Sequence, residues 1–304
     1  MLQPDTRPKA ALVISLTVRH TTTYAYASPV RFGEHRMMLR PRDSHDLRLV
    51  SADLVLSPPG RLRWVHDVFG NSVLLATFME PGSELYVEST LRLERYSIDP
   101  AAVQIAEQAR TWPFIYTSDD RTDLGRLLEV HHPDPRGQVA AWAQGFAGRQ
   151  DMETQWLLAS MNDAIKAQFA YVVRHEEGTQ TPVETLERGS GSCRDFALLM
   201  MEALRALGFG TRFVSGYLYD PALDGGGTGT RGAGTTHAWL EVYLPGAGWV
   251  EYDPTNATIG DDALIRVAVA RDPAQAVPIA GSFTGTASDS LGMTVEVEVA
   301  QELA

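Results

Sequence analysis

Three stretches of this chain hold side chains whose types and spacing suit nucleophilic chemistry. In Gly189-Ser190-Gly191-Ser192-Cys193-Arg194-Asp195-Phe196-Ala197, a Gly/Ser turn delivers the only cysteine of the 304 residues to the start of an apolar helix. Ser192 and Asp195 have capping-box spacing, which predicts Cys193 at the first helical position. Partial positive charge at that end of a helix favours the nucleophilic thiolate over the thiol. Lowering any thiol by two pH units takes about 2.7 kcal/mol, and a helix end supplies ~1–2 kcal/mol at most. A partner cation is therefore required, and imidazolium is the usual one. The alternative for Cys193 is a buried structural thiol, the common state of a free cysteine.

The second stretch, Thr236-His237-Ala238-Trp239-Leu240-Glu241-Val242-Tyr243-Leu244, alternates as a strand. Ala238, Leu240, Val242 and Leu244 form an apolar face, so His237, Trp239, Glu241 and Tyr243 look away from that core layer. The third, Gly248-Trp249-Val250-Glu251-Tyr252-Asp253-Pro254-Thr255, returns through the turn at Pro245 to Gly248. Pairing Tyr243 with Trp249 places Asp253 opposite Trp239 and diagonal to His237, within side-chain reach. A slip of one residue would send Asp253 to the other face. Cys193 is thus the candidate nucleophile, His237 the base and counter-ion, and Asp253 the group that fixes the imidazole tautomer. The Cys193 backbone N–H is a candidate oxyanion donor, with Trp156 and Tyr171 as unranked side-chain candidates.

These stretches need a scaffold, and the chain reads as α+β. Residues 1–98 form an N-terminal antiparallel β-sandwich domain, with β-rich runs between Leu12 and Tyr96 separated by turns such as Ser57-Pro58-Pro59-Gly60. Residues 99–150 form a helical connector, with helices expected over Ala101–Arg110, Asp123–Val130 and Gly137–Phe146. Residues 151–304 form the catalytic core. Helices are expected there over Met152–Phe169 and Ser192–Leu207, and strands over Thr211–Tyr219, Thr236–Leu244, Trp249–Asp253 and Met293–Val299. The six-glycine segment 224–234 reads as a surface loop that gates the site, since it just precedes His237.

Composition narrows the function. Against 38 acidic residues stand 26 basic ones, giving a net charge of −12, which disfavours nucleic-acid and anionic-membrane partners. One cysteine makes neither an intramolecular disulfide nor a cysteine-rich metal site. The apolar run Ala11–Leu16 is too short for a membrane span or a signal peptide, so a cytoplasmic location is expected. Gly227-Thr-Gly229-Thr-Arg-Gly232 spells a phosphate-loop pattern, but a strand rather than a helix is expected after it. His131-His132 with Asp134, and His175 with Glu176 and Glu177, lack the spacing that presets a metal site. Asn256-Ala257-Thr258 is a glycosylation sequon expected to stay unmodified. No cofactor and no metal are expected.

Taken in the order Cys, His, Asp, the three stretches closely resemble the transglutaminase-like superfamily, in particular its bacterial transglutaminase-like cysteine protease branch. The resembling motifs are G-S-C-R-D-F-A around Cys193, R-A-L-G-F at 205–209, R-F-V-S-G-Y at 212–217, T-H-A-W-L-E-V-Y-L-P at 236–245 and G-W-V-E-Y-D-P-T-N at 248–256. Phe169-Ala-Tyr171 and Thr181-Pro182 are similar to the family's approach to its cysteine. His20 to Tyr26, Leu39 to Arg42 and Asp67 to Asn71 resemble the bacterial N-terminal β domain. The resemblance implies a papain-like core, with a helix carrying Cys193 packed on an antiparallel sheet carrying His237 and Asp253. It also implies thiol-dependent acyl chemistry on amides of a protein or peptide substrate. Arg194 and Asp195 follow Cys193 where cross-linking animal transglutaminases carry an aromatic residue, and no loop has calcium-ligand spacing. The expected reaction is hydrolysis of a peptide or side-chain amide. The alternatives are transamidation to an amine, and a non-catalytic protein-binding module on the same fold.

Overall fold

The computed structural model describes residues 13–97, 104–148, 152–174, 177–224, 230–232 and 234–302. The fold is α+β, with mostly antiparallel strands. In the N-terminal part a 20-residue strand, Val13–Phe32, pairs with Gly82–Tyr96, and Leu47–Ser57 extends the sheet beyond it. Alternation sets its inner face: Leu16, Val18, His20 and Thr22 are buried while Arg19 points to solvent. A second sheet runs in the order Ile279–Ala280, His35–Met37, Ser72–Phe78, Gly60–His66. Leu74 and Ala76 of that sheet share a core with Leu85 and Val87 of the first.

The last strand, Ser290–Gln301, lies along the open side of Val13–Phe32, from Leu16 opposite Gln301 to Tyr26 opposite Ser290. The sequence reading groups residues 290–301 with the core in 151–304; their hydrogen bonds place them in the N-terminal sheet. Alternating Val295, Val297 and Val299 predict a strand there, but alternation says nothing of a partner at the other end of the chain.

The core is a five-stranded antiparallel sheet, ordered Thr258–Ile259, Gly248–Asp253, His237–Leu244, Thr211–Leu218, Leu264–Ala270. The strand Leu264–Ala270 is absent from the sequence reading, because a run buried on both faces carries little alternation. On one face of the sheet the helix Cys193–Ala206 packs Phe196, Met200 and Leu204 into the cluster that holds Phe213, Leu240 and Tyr252. On the other face Tyr217, Ile265 and Val267 meet Leu16, Val18, Leu93 and Val299 of the N-terminal sheet. The Asn71 side chain fastens the two parts, donating to Val269 O at 2.7 Å and accepting from Val269 N at 2.9 Å. The face carrying Trp239 does look away from the helical layer, yet it is buried too, with Val214, Leu264 and Phe69 around it.

The connector departs from expectation. The helix expected over Ala101–Arg110 lies partly outside the described residues, and its described part holds only the short turn Glu107–Ala109. Ala106 N–H donates to Pro245 O at 2.7 Å, and Thr111–Trp112 pairs as a strand with Met152–Glu153, which draws the segment out of a helix. The second helix begins earlier, at Ser118–Leu124, and tightens into Gly125–Leu128. Gln138–Phe146 and Thr154–Gln168 form where periodicity predicts them. The helix Pro182–Arg188, with a capping box between Thr181 and Glu184, is an addition. Among the described residues no helix is long and apolar enough to cross a membrane.

Candidate active site

The approach to Cys193 is built from two short parallel strands, Ala170–Tyr171 and Ser190–Gly191. Ala170 N–H donates to Gly189 O at 2.8 Å and Val172 N–H to Gly191 O at 2.9 Å, so Tyr171 is held beside the turn that launches the helix. Gly191 is required here, because a Cβ would come within 2.8 Å of Asp195 Cβ. Asp195 itself is fully buried and organises the helix start. Its Oδ2 accepts from Ser192 N and Ser192 Oγ, both at 2.8 Å, which is its half of the predicted capping box. Its Oδ1 accepts from Gln180 N at 2.7 Å and pairs with Arg174 at 3.0 Å. Buried carboxylates persist only when paired and hydrogen-bonded in this way. The result is a rigid frame that opens the helix with Cys193, itself only 7% exposed.

The sheet supplies the other two groups. Tyr243 stands opposite Trp249, the register that brings Asp253 towards His237. His237 Nε2 donates to Asp253 Oδ2 across 2.8 Å, and both side chains are inaccessible to solvent. Asp253 Oδ2 also accepts from Asn256 Nδ2 at 2.8 Å, and Oδ1 from Thr255 N at 2.9 Å. Trp239 stacks on the imidazole, with ring centroids 5.9 Å apart and planes inclined by 27°, and its indole N–H donates to Glu251 Oε1 at 3.2 Å. The imidazole is thereby fixed in orientation, and its Nδ1 has no hydrogen-bond partner among the described residues.

Electrostatics favour a charged imidazole. Burial opposes the charge, but the Asp253 carboxylate and the neighbouring Cys193 sulfur outweigh it and raise His237 to about 10. Burial likewise opposes ionisation of Asp253, yet His237, Asn256 and the Thr255 N–H hold it below the usual carboxylate range. At neutral pH His237 therefore carries both ring protons, the one on Nε2 directed at Asp253 and the other on Nδ1, which has no hydrogen-bond partner among the described residues.

The structure thus brings Cys193, His237 and Asp253 to one place. Of the two side-chain candidates for the oxyanion, Tyr171 lies at this place and Trp156 stands 56% exposed on its helix. Burial, together with Cys193 and Asp253, pushes Tyr171 up to about 12, which leaves its phenol a proton donor. Gly232 of the glycine segment lies against the imidazole at φ +90°; a Cβ there would overlap Nδ1 and approach Cε1 to 2.9 Å. Arg231, just before it, reaches over the Tyr171 ring at 5.9 Å.

Three contributors escape the sequence reading. Asn256 there belongs to a sequon, whereas its side chain is buried on Asp253 and on Arg231 O at 3.1 Å. The signal was its position three residues past the aspartate, in the turn that ends the strand. Gln180 and Arg174 carry no signal, since only folding brings them to Asp195. The histidine decoys resolve differently. His131 and His132 lend their backbone N–H groups to Glu202 at 2.7 and 2.8 Å, and His132 Nε2 lies 2.8 Å from Asp272. His175 and Glu176 lie outside the described residues. Gly232 is followed by the strand His237–Leu244, not by a helix.

A cysteine at a helix start beside a His–Asp pair on an antiparallel sheet is the arrangement that the resemblance of the three stretches implies. Residues 140–254 match the Transglutaminase-like superfamily, and residues 16–94 match the Bacterial transglutaminase-like N-terminal region. An uncharacterized protein of Mycobacterium leprae is 27% identical over 286 residues, which cover 93% of this chain and 98% of that one. A protein-glutamine gamma-glutamyltransferase of Pseudomonas aeruginosa is 27% identical over 162 residues, covering 51% of this chain and 24% of that one. A crystal structure from Cytophaga hutchinsonii, named as a candidate cysteine protease, has the same fold. Its TM-score is 0.72 at 19% identity, over 96% of this chain and 92% of that one.

Proposed function

We propose that the protein is a cysteine hydrolase acting on peptide or side-chain amides, with Cys193 as nucleophile, His237 as proton donor and acceptor, and Asp253 as the group orienting His237. The observation that carries this reading is the His237 ring: one nitrogen is held by a buried carboxylate, and the other has no hydrogen-bond partner among the described residues, with the only thiol of the chain as its neighbour. The Cys193 sulfur attacks the amide carbon and forms a C–S bond, and the carbonyl oxygen takes the negative charge. The Cys193 backbone N–H, which has no intrahelical partner at the first helical position, and the Tyr171 hydroxyl are the candidate donors to that oxygen. His237 Nδ1–H protonates the leaving nitrogen as the C–N bond breaks, leaving a thioester on Cys193. Water then attacks the thioester, His237 takes its proton, and the acid departs as the sulfur regains its electron pair.

An amine in place of water gives transamidation by the same steps. That second reading is favoured by the name of the Pseudomonas relative, which covers half of this chain. The test begins with the lone thiol. Iodoacetamide at about pH 6 is expected to modify Cys193 far faster than free cysteine, and His237→Ala is expected to remove the advantage. Equal, ordinary reactivity in both proteins would overturn the catalytic reading in favour of a binding module. Incubating amide substrates with and without an added primary amine then separates the two reactions by whether the amine enters the product.

A further inference from the structure

We infer that Arg231 is a specificity-determining residue that selects acyl substrates carrying a carboxylate close to the attacked carbonyl. The inference rests on the proposed role of Cys193 and concerns what that nucleophile accepts. Its ground is the contrast between Arg231 and the other arginines near the site. Arg174 is paired with Asp195, Arg212 and Arg266 with Glu241, and Arg194 donates to Pro273 O at 2.7 Å. Arg231 is exposed and has no carboxylate partner among the described residues, in a chain with twelve more acids than bases. Its guanidinium is instead laid over the Tyr171 ring, a cation–π contact that positions a cation without neutralising it.

The backbone fixes where that cation stands. Arg231 O accepts from Asn256 Nδ2, which also donates to Asp253, and Gly232 rests on the Nδ1 edge of His237. Tyr171, under the guanidinium, feels the charges of Cys193, Asp253 and Arg231 together. A guanidinium with no carboxylate partner among the described residues thus stands over Tyr171, next to the glycine that lies against His237. Guanidinium is the side chain suited to two-point recognition of a carboxylate. The global charge of −12 repels anions at long range, so preference for one must come from a local group such as this. The substrate class is accordingly an amide flanked by a carboxylate, as in an acidic peptide.

The single thiol permits a test without a known substrate. Iodoacetate and iodoacetamide are nearly equal in size, and each forms a C–S bond at Cys193 as the C–I bond breaks and iodide leaves. They differ only in charge. Rates of both are followed by intact mass in the wild type, in Arg231→Gln, in Arg231→Lys and in Arg48→Gln, an exposed arginine of the N-terminal sheet that removes the same charge elsewhere. The iodoacetate-to-iodoacetamide ratio is expected to fall about three- to fivefold in Arg231→Gln, the size of an exposed charge contact. It should fall less in Arg231→Lys, and stay near the wild-type ratio in Arg48→Gln. An unchanged ratio in Arg231→Gln, or an equal fall in Arg48→Gln, overturns the role of Arg231 while leaving an activated Cys193 standing. Slow reaction with both reagents in the wild type overturns the nucleophile itself, and this inference with it.

Discussion

His20 and His237 are both buried to 1% exposure, one in the N-terminal sheet and the other in the core sheet, and they hold opposite charge states. His20 lies between two hydroxyls, Tyr217 Oη and Thr22 Oγ1, each 2.9 Å away. Among the described residues no carboxylate there favours the charged ring, and burial lowers its pKa to about 4. His237 suffers the same desolvation but faces Asp253, and it rises to about 10. The lesson is that burial alone neutralises a histidine, and one oriented carboxylate reverses the outcome. The hydroxyl pair makes His20 a rivet between the N-terminal sheet and Tyr217. The carboxylate leaves His237 charged, with one ring nitrogen unspent.

The largest expected effect comes from making the second histidine resemble the first. Asp253→Asn keeps the shape and removes the charge, so His237 should lose its proton at neutral pH or present the wrong tautomer. Modification of Cys193 by iodoacetamide at about pH 6 should slow by roughly two to four orders of magnitude, the range in which triad carboxylates act. A loss of less than about tenfold would mean that the carboxylate does not set the charge of His237, and the contrast with His20 would collapse.

The comparison also carries opposite signs of pH dependence. His20 has a folded pKa below its unfolded value of 6.5, so its contribution to stability is full above about 6.5 and is lost as pH falls towards about 4. His237 has a folded pKa above 6.5, so its contribution is full below about 6.5 and is lost as pH rises through about 10. A displacement of His20 from 6.5 to about 4 corresponds to about 3 kcal/mol. His20→Gln, which keeps a hydrogen-bonding side chain but does not titrate, should therefore lose about that much less stability than the wild type between pH 7 and 4. Urea unfolding at the two pH values measures this. Parallel losses in the two proteins would show that His20 is not held neutral.

Unequal portions of these two sites are legible in the sequence. Around His237 the evidence is local: a glycine turn before an apolar helix, an alternating strand, and a short hairpin whose turn sets Tyr243 against Trp249. Each is written within about twenty residues, so spacing alone brings Cys193, His237 and Asp253 into consideration. Around His20 the evidence is long-range. The strand Val13–Phe32 reads as a strand, but its neighbour Ser290–Gln301 and its cover Tyr217 lie far along the chain, and no period or turn encodes such a meeting. The same limit hides Leu264–Ala270, whose two buried faces erase the alternation, and Asn256, whose role appears only when its turn folds back on Asp253. It also explains why the Trp239 face reads as turned away from a core when it is in fact turned towards a second one.

The smallest effect tests the remaining difference between the histidines, the unspent nitrogen. Both nitrogens of His20 are occupied, whereas His237 Nδ1 faces Gly232 and has no hydrogen-bond partner among the described residues. Only glycine fits there, for two reasons: φ is +90°, which other residues rarely adopt, and a Cβ would overlap Nδ1. In Gly232→Ala either the loop shifts outward or the methyl group wedges between the imidazole and an incoming acyl group. Modification of Cys193 by iodoacetamide should then slow by about tenfold, with the melting temperature nearly unchanged, because Thr230 and Arg231 are exposed and Gly232 packs no side chain into the core. A rate that rises instead would mean that Gly232 restrains access to the site and that its displacement opens the way. The glycine segment would then be the gate its position before His237 suggests, and the wild-type contact the closed state of that gate.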